Sequence, residues 1–396
     1  MVSRESRFTG RPVPVPDPGA VPLSLYIHWP WCARKCPYCD FNSRAASGAI
    51  PEDRYIEALL AQLEAELPLA LGRPLQTIYI GGGTPSLMTP EGMGRLLDGV
   101  RSRLALAPGC EISMEANPGT LEAGRFEAYA ACGVNRASIG VQSFSGTELQ
   151  RLGRIHSPEE AKAAAREAAR VFGNFNLDLM FGLPGEDGSG LAADIREALA
   201  AGSTHLSFYQ LTLEEGTAFA KRPPAGMPDP DQLWEMTETI INELSASGFR
   251  RYEVSGYAKP GFECRHNLNY WRYGDYLAIG AGAHGKASGE RGILRFAASA
   301  SPLRFMQEIE AGGRSGESRW VTDEELPFEF MLNGLRLLEG VPEGFFLERT
   351  GLSPEIIAPE LESARGAGLL SEEAGVFRAT EKGMDFLSDL QEIFLV

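Results

Sequence analysis

From residue 23 onward the chain alternates short β-rich runs with amphipathic helical stretches, six times in succession. Most of the predicted strands are nearly continuous apolar runs, as expected of parallel strands buried on both faces. The alternation predicts a parallel sheet with right-handed crossovers, either a doubly wound sheet or a partial barrel, and periodicity does not separate the two. The predicted strands span residues 23–29, 76–81, 111–117, 136–142, 176–182 and 205–213.

Residues that suggest chemistry follow these strands. In both candidate folds, ligands bind at the carboxyl ends of parallel strands. Three cysteines follow the first strand, and the sequence Gly-Gly-Gly-Thr-Pro at 81–85 follows the second. Polar side chains end or lie within the third, fourth and fifth strands, namely Glu115, Gln142 and Asp178. We therefore expect one site at this rim of the sheet.

The length of 396 residues favours a large α/β domain and a smaller one. Residues 1–22 are rich in Pro and Gly and predict a flexible extension. Residues 23–289 form the predicted core. Residues 290–396 show helical patterns and a short hairpin, which predicts a smaller, mostly helical, winged-helix-like domain.

Composition excludes several function classes. The net charge of −16 disfavours binding to nucleic-acid phosphate. No apolar run reaches the roughly 18 residues of a membrane span, and no apolar segment resembling a secretory signal follows the N-terminus. The six cysteines include one cluster and three scattered residues. That is a poor disulfide framework, so we expect a reducing cytoplasm.

The clustered cysteines, Cys32, Cys36 and Cys39, have the spacing C-x3-C-x2-C. Three thiolates are one fewer than a closed structural zinc site needs. Iron–sulfur clusters are commonly held by four cysteines, so a cluster held by three leaves one iron free for a substrate or cofactor. The alternatives are ordinary half-buried cysteines, or a zinc site completed by ligands from elsewhere in the chain.

Other rim residues carry weaker signals. Glycines at 81–83 allow close approach to a ligand and could expose backbone N–H groups to it, or could simply form a tight turn. Glu115 could accept hydrogen bonds from ribose hydroxyls, or could be solvated or ion-paired. Asp178 lies in an apolar strand and needs a partner, for which Arg154 is a candidate; that pair could be purely structural.

The cysteine spacing and its flanks, from Tyr26 to Phe41, resemble the radical S-adenosylmethionine (SAM) superfamily. The resemblance implies a partial (β/α)6 barrel in which three cysteines hold a 4Fe–4S cluster. The amino and carboxylate groups of SAM chelate the fourth iron, and one electron from the cluster cleaves SAM. The variant Gly-Gly-Gly-Thr-Pro is typical of the coproporphyrinogen-dehydrogenase-like subfamily. The cofactor-binding positions that this implies are Tyr26, Tyr38, Gly82, Gly83, Thr84, Glu115, Gln142, Arg154 and Asp178.

That subfamily has a dehydrogenase branch and a heme-chaperone branch. The dehydrogenases carry a further cysteine where this chain has Phe41. Residues 266–271 match the H-N-x-x-Y-W motif of the chaperone branch, and His266 could bind heme iron axially. Cys264 and His284 are competing ligands, and His266 could instead only pack the barrel edge or position SAM.

The resemblance therefore implies a heme chaperone that passes heme to an acceptor protein, with an electron donor as a further partner if SAM is cleaved. No catalytic residue is assigned. The alternatives are a coproporphyrinogen III dehydrogenase or other radical-SAM oxidoreductase, and a zinc-binding interaction protein.

Overall fold

The computed structural model describes residues 7–120, 124–312 and 315–395. The strands are β1 Leu23–Trp29, β2 Trp31–Cys32, β3 Arg44–Ala45, β4 Leu75–Gly82, β5 Leu106–Ala116, β6 Arg136–Gln142, β7 Phe175–Phe181, β8 His205–Gln210, β9 Arg250–Arg251, β10 Gly256–Ala258, β11 Asp275–Ile279, β12 His284–Gly289, β13 Gly292–Ala297, β14 Glu317–Trp320, β15 Val341–Pro342 and β16 Val376–Phe377. The helices of the first half are α1 Glu52–Ala70, α2 Pro90–Arg101, α3 Arg125–Cys132, α4 Gly146–Arg151, α5 Pro158–Val171, α6 Gly188–Ala200, α7 Ala218–Lys221 and α8 Pro230–Ala246. Those that follow are α9 Arg265–Trp271, α10 Pro302–Glu310, α11 Leu326–Gly334, α12 Gly344–Thr350, α13 Ala358–Gly366, α14 Glu381–Asp385 and α15 Leu387–Glu392.

The order of the parallel strands decides between the two candidate folds. In the sheet, β1, β4, β5, β6, β7 and β8 are neighbours in chain order, each parallel to the next. A doubly wound sheet would reverse direction beside its first strand. Here the neighbour on the other side of β1 is β11, and β10 lies antiparallel against β8. The fold is therefore the predicted partial barrel of six β/α units, with antiparallel additions at both edges.

The barrel strands have one apolar and one polar face. In β1, Leu25 and Ile27 belong to the apolar core, whereas Ser24 hydroxyl accepts a hydrogen bond from Thr77 of β4 inside the barrel at 2.8 Å. The expectation of strands that are apolar on both faces is therefore only half right. The outward faces pack against the helices, and the inward faces form a polar interior. This alternation has the period of two that a strand imposes.

Three of the helices begin at residues whose side chains cap them. Ser157 and Glu160 form a reciprocal capping box at the start of α5, and Asp229 and Gln232 form another at α8. The Thr89 hydroxyl caps α2 by accepting a hydrogen bond from the Gly92 N–H. Each helix has a proline in its first turn, where no helical hydrogen bond is lost.

The barrel domain extends beyond the boundary expected after residue 289. That boundary falls inside the antiparallel β12–β13 hairpin, and β14 continues the same sheet to Trp320. Phe305 of α10 lies in the barrel's own core. A second core begins at about Val321 and is formed mainly by the helices that follow. Strand pairing is a long-range property, which explains why a change in local pattern placed the boundary too early.

The C-terminal domain is mostly helical, as predicted, with one small β-pair. β15 pairs antiparallel with β16, and an isolated bridge joins Leu370 to Ala379. The last helical stretch is divided into α14 and α15 at Phe386. No helix in the described ranges is long and apolar enough to cross a membrane.

The N-terminal extension is docked on this domain from residue 7 onward, contrary to the expectation of flexibility. The Asp323 carboxylate accepts hydrogen bonds from the Thr9 N–H at 2.6 Å, the Gly10 N–H at 2.8 Å and the Arg11 N–H at 3.2 Å. Val15 and Val21 are buried in the second core. Residues 1–6 lie outside the described part of the chain. The proline and glycine content did not correctly predict a flexible segment. From residue 7 onward the segment is ordered by specific contacts with residues far away in the chain.

Candidate functional site

A cavity of about 430 Å³ opens at the carboxyl ends of the barrel strands and continues into the polar interior. A cavity of this volume is within the range of small-molecule and cofactor sites. Most of the residues predicted from the sequence line it together: Cys32, Tyr38, Cys36, Cys39, Gly82, Gly83, Thr84, Glu115, Gln142, Arg154 and Asp178. Tyr26 and His266 do not line the cavity. Most of the predicted residues therefore share one cavity, and the role of each in binding a cofactor stays a prediction.

Tyr26 lies inside the barrel beneath the site. Its hydroxyl is 2.9 Å from Nδ1 of His28, and its ring stacks on Tyr79 with centroids 6.4 Å apart. Of these three side chains, Tyr79 reaches the cavity. Tyr26 therefore supports the strand that leads into the cysteine loop, and its contact with a cofactor stays a prediction.

The cysteine loop, residues 32–43, is held by its own backbone and by one lysine. The ammonium of Lys35 donates to the carbonyl oxygens of Phe41 at 2.9 Å and Ser43 at 3.0 Å. The short parallel pair β2–β3 brings the two ends of the loop together. The three thiols are thus presented to the cavity by a closed loop.

The thiols do not converge on a single ion. Within the described residues, no three His, Cys, Asp or Glu side chains approach closely enough to bind one metal ion. The ligands of an iron–sulfur cluster bind separate irons and stand further apart than those of one zinc. The three thiols therefore do not form a ready-made mononuclear zinc site within the described residues.

The glycine loop uses its N–H groups internally. The Gly83 N–H donates to Trp29 O at 2.6 Å and the Thr84 N–H donates to Trp31 O at 2.7 Å. A Cβ atom on Gly83 would lie 2.5 Å from Trp31 O. The close approach that requires glycine is thus made to the start of the cysteine loop. The expectation that these N–H groups would face a ligand is wrong, and backbone carbonyl oxygens are what this loop can offer to an amino group.

The Glu115 carboxylate is fixed at the edge of the cavity. Its Oε1 accepts a hydrogen bond from the Tyr79 hydroxyl at 3.0 Å, and its Oε2 accepts one from the Gly82 N–H at 3.0 Å. Burial and the nearby Asp178 raise the pKa of Glu115 to about 7. Each oxygen retains a lone pair, so Glu115 can still accept hydrogen bonds from ligand hydroxyls.

Gln142 and Arg154 share a crowded corner of the rim. Gln142 has a φ of 67°, which is uncommon for a residue other than glycine. A Cβ atom on Gly140 would lie 3.0 Å from the Gln142 amide nitrogen and 3.4 Å from an Arg154 guanidinium nitrogen. Arg154 donates to Gly140 O at 2.7 Å and to the Cys36 sulfur at 3.5 Å. Backbone strain of this kind clusters at functional sites, so this corner supports a ligand-binding role.

Asp178 is not paired with Arg154. Its carboxylate accepts hydrogen bonds from the Ser138 hydroxyl at 2.9 Å and the Asn176 amide at 2.7 Å. Burial raises the pKa of Asp178 above its ordinary value. The proposed ion pair is therefore wrong, because neutral donors on Asp178's own strand and the adjacent strand β6 reach it while Arg154 is directed at the cysteine loop.

The motif at 266–271 forms α9, which closes the barrel at the amino ends of the strands. The Glu111 carboxylate accepts hydrogen bonds from the Arg265 and His266 N–H groups, each at 3.3 Å. Asn267 reaches the bottom of the cavity. The motif therefore lies at the opposite end of the barrel from the cysteine loop.

His266 is only 1% exposed, and both of its ring nitrogens have partners. Nδ1 is 2.7 Å from the Thr77 hydroxyl oxygen, whose own proton goes to Ser24. Nδ1 therefore carries the proton, and Nε2 accepts from the Tyr270 hydroxyl at 2.7 Å. Burial lowers the pKa of His266 to about 3, so the ring is neutral. The lone pair that heme iron would need is already used, which is contrary to the expectation of an axial ligand.

Several lining residues were missed by sequence reasoning. They share one property, an inward position on β4, β6, β7 or β8, and they are Tyr79, Arg136, Ser138, Asn176, His205, Ser207 and Tyr209. The missed signal was a polar residue at every second position of these strands, beneath the rim residues.

Two known protein families match parts of this chain. The family model of the radical SAM superfamily matches residues 26–198, and the model of the HemN C-terminal domain matches residues 321–386. The solved structure of coproporphyrinogen III oxidase (HemN) from Escherichia coli superposes with a TM-score of 0.81, covering 95% of this chain and 90% of that one. At 22% identity that likeness shows the fold. Fold and site together define a radical SAM protein.

Similar proteins indicate which family of radical SAM proteins the chain belongs to. The heme chaperone HemW of Escherichia coli (strain K12) is 52% identical, over 94% of this chain and 98% of that protein. The HemW of Haemophilus influenzae is 46% identical, over 96% and 99% of the two chains. A mitochondrial radical S-adenosyl methionine domain-containing protein 1 of Bos taurus is 37% identical, over 82% and 76%. The chain belongs to the HemW family.

Proposed function

We propose that this chain binds heme and transfers it to an acceptor protein, and that it carries a 4Fe–4S cluster on Cys32, Cys36 and Cys39. The observation that carries the cluster is the opening of all three thiols into one cavity. The heme role rests on the relatives named heme chaperone. Membership of the radical SAM superfamily implies the cluster and SAM.

SAM fits the polar groups at the rim. Carbonyl oxygens of Gly82 and Gly83 suit its amino group, and the Glu115 carboxylate suits its ribose hydroxyls. Gln142, at the end of the adjacent strand β6, and Arg154 offer further donors, and Tyr38 borders the cysteines. When bound, the cluster would supply one electron to SAM; the residues of the chain would hold and orient it.

Phe41 favours a heme chaperone over a coproporphyrinogen III dehydrogenase. Its ring is 59% exposed beside the cysteines, where the dehydrogenase branch has another cysteine. A phenyl ring can neither ligate iron nor act as a redox thiol. An electron donor is a further partner only if SAM is cleaved.

For the heme iron we propose His284 ahead of His266. The chain has five histidines, and His284 is the exposed one. Its nitrogens can therefore reach a ligand without unfolding part of the barrel. His266 could bind iron only after its ring gave up its contacts with Thr77 and Tyr270. Cys264 is buried, and burial raises the pKa of its thiol to about 12, which disfavours thiolate ligation.

The cluster is tested by anaerobic reconstitution of wild type, Cys36→Ser and Cys132→Ser. Wild type and Cys132→Ser should hold about four irons per chain, and Cys36→Ser should lose most of them. Cys132 is the control because it lies outside the cavity. Stoichiometric zinc without iron would instead support the zinc-binding alternative.

Heme binding is tested on the same sample by absorption titration of wild type, His284→Ala and His266→Ala. Weaker binding and a changed spectrum are expected for His284→Ala alone. No heme binding by wild type would refute the chaperone proposal. Conversion of coproporphyrinogen to protoporphyrinogen with SAM would favour the dehydrogenase.

A cytoplasmic location remains part of the proposal and rests on the six free cysteines.

A further inference from the structure

The bottom of the barrel contains an arginine without a direct partner. Arg136 begins β6 and is 2% exposed, yet its side chain lines the cavity. Its Nε has no hydrogen-bond partner among the described residues. Buried charges in proteins are normally paired, because an unpaired one is costly. A buried group that remains unsatisfied requires an explanation.

The polar side chains around Arg136 satisfy one another instead. Asn176 donates to Ser138 at 2.8 Å, and Ser138 donates to Asp178 at 2.9 Å. His205 Nδ1 is 2.7 Å from the Asn176 oxygen, and its Nε2 is 2.9 Å from the Tyr252 hydroxyl. These contacts leave Arg136 outside a closed network.

If Arg136 had a purely structural role, Glu111 would be the carboxylate expected to form an ion pair with it. That carboxylate is instead used by the backbone N–H groups that begin α9. Among the described residues, the Nε atom of Arg136 has no hydrogen-bond partner, and Glu111 acts on the guanidinium only through space. The fold therefore keeps a cation at the bottom of its cavity without a direct ion pair, although Glu111 acts on it electrostatically.

Depth separates this position from the rim. Arg136 and Gln142 are the two ends of β6, and at about 3.3 Å per residue their Cα atoms are roughly 20 Å apart. The residues proposed for SAM lie near the rim end. A guanidinium forms paired hydrogen bonds with carboxylate or phosphate. Because Glu115 and Asp178 line the same cavity, a singly charged carboxylate is favoured over a phosphate.

We propose that Arg136 forms a subsite for the carboxylate of a second ligand that enters the cavity alongside SAM. The identity of the first ligand rests on the proposed function; the subsite itself rests on the geometry of Arg136. The carboxylate belongs either to a side chain of a tetrapyrrole or to a small organic acid. These two sources share the same chemistry and are distinguished below.

The test compares wild type, Arg136→Gln, Arg136→Lys and Arg304→Gln, all carrying the reconstituted cluster. Arg304 is the control because it lies on the exposed face of α10 and loses the same charge. The probes are heme, heme dimethyl ester and sodium propionate, with sodium chloride as the ionic-strength control. The ester keeps the ring and iron but has no carboxylate.

A tetrapyrrole source predicts that wild type binds heme about tenfold more tightly than the ester, as expected for a charged hydrogen bond. Arg136→Gln should remove that difference, Arg136→Lys should retain part of it, and Arg304→Gln should leave it unchanged. A small-acid source predicts equal binding of heme and ester. Propionate should then raise the melting temperature of wild type and Arg304→Gln, but not that of Arg136→Gln.

The subsite is refuted if neither probe distinguishes wild type from Arg136→Gln. Urea unfolding without ligand checks that Arg136→Gln is folded before the probes are compared. A much lower midpoint, restored by Arg136→Lys, together with no probe effect would assign Arg136 a structural role. Absence of heme binding in every protein would refute the proposed function, while the propionate measurement would still test the subsite.

Discussion

The Nε2 atom of His28 lies 2.9 Å from the backbone carbonyl oxygen of Asn42. This contact joins the end of the first barrel strand to the end of the cysteine loop. Because a carbonyl oxygen only accepts, Nε2 carries the ring proton, and Nδ1 accepts from the Tyr26 hydroxyl at 2.9 Å. Burial lowers the pKa of His28, which keeps the ring neutral. The loop is thus held by an imidazole in a single tautomer.

Replacing His28 with alanine should loosen the cysteine loop. We expect a loss of about 1–3 kcal/mol in unfolding free energy, because the Tyr26 hydroxyl and the Asn42 carbonyl lose their partner. The reconstituted cluster should also lose iron to a chelator several-fold faster than in wild type. Asn135→Ala is the control, since it removes buried hydrogen bonds to Ile112 and Cys110 away from the loop. An unchanged rate of iron loss in His28→Ala would show that the loop is held without this contact.

The left-handed backbone of Gln142 gives a second prediction. Glycine adopts this conformation freely, whereas alanine retains the steric cost of about 1–2 kcal/mol. Gln142→Gly should therefore be more stable than Gln142→Ala by about 1 kcal/mol, measured by urea unfolding. Both variants should bind SAM more weakly than wild type, because both lose the amide. Equal stability of the two variants would argue against strain at this position.

Glu115 predicts a pH-dependent stability. Its pKa of about 7 in the fold lies above the value of about 4.3 expected when unfolded, so the folded state binds more protons between these pH values. Stability should therefore fall as pH rises through this window. Glu115→Gln cannot ionise. Its stability relative to wild type should increase by about 3 kcal/mol from pH 4 to pH 8.

The measurement for Glu115 is urea unfolding of SAM-free protein at several pH values. Asp323→Asn is the control variant, because the fold lowers the pKa of Asp323 whereas it raises the pKa of Glu115. The raised pKa of Glu115 would be refuted if the difference in unfolding free energy between Glu115→Gln and wild type did not change with pH.

Asp323 predicts how the N-terminal segment is held. Hydrogen bonds from the backbone of Thr9, Gly10 and Arg11 lower the pKa of Asp323. Their stabilisation should be present above pH 4 and lost as pH falls through the depressed value. Asp323→Ala should lose about 1–3 kcal/mol of stability. Amide hydrogen exchange should rise in residues 9–11, whereas Asp389→Ala on the exposed side of α15 should leave it unchanged.

The secondary structure and the rim of the site could be predicted because their signals are local. The bounds of β1 and β6 match the predicted strands, and the caps of α5 and α8 follow directly from residue type. The cysteine spacing and the strand-end rule placed the cavity. The barrel-lining polar face was also present in the sequence, as a period of two, but was overlooked among the apolar residues.

What the sequence did not reveal depends on residues far apart in the chain. The choice of Ser138 and Asn176 as partners of Asp178, the burial of His266 beneath Thr77, and the isolation of Arg136 all arise where separate strands meet. The sequence by itself determined which elements form and which chemical groups lie at their ends, because propensity, capping and metal-ligand spacing act over a few residues. Only the tertiary structure decided which of those groups have partners and which remain available to a ligand, because pairing and burial depend on distances through space.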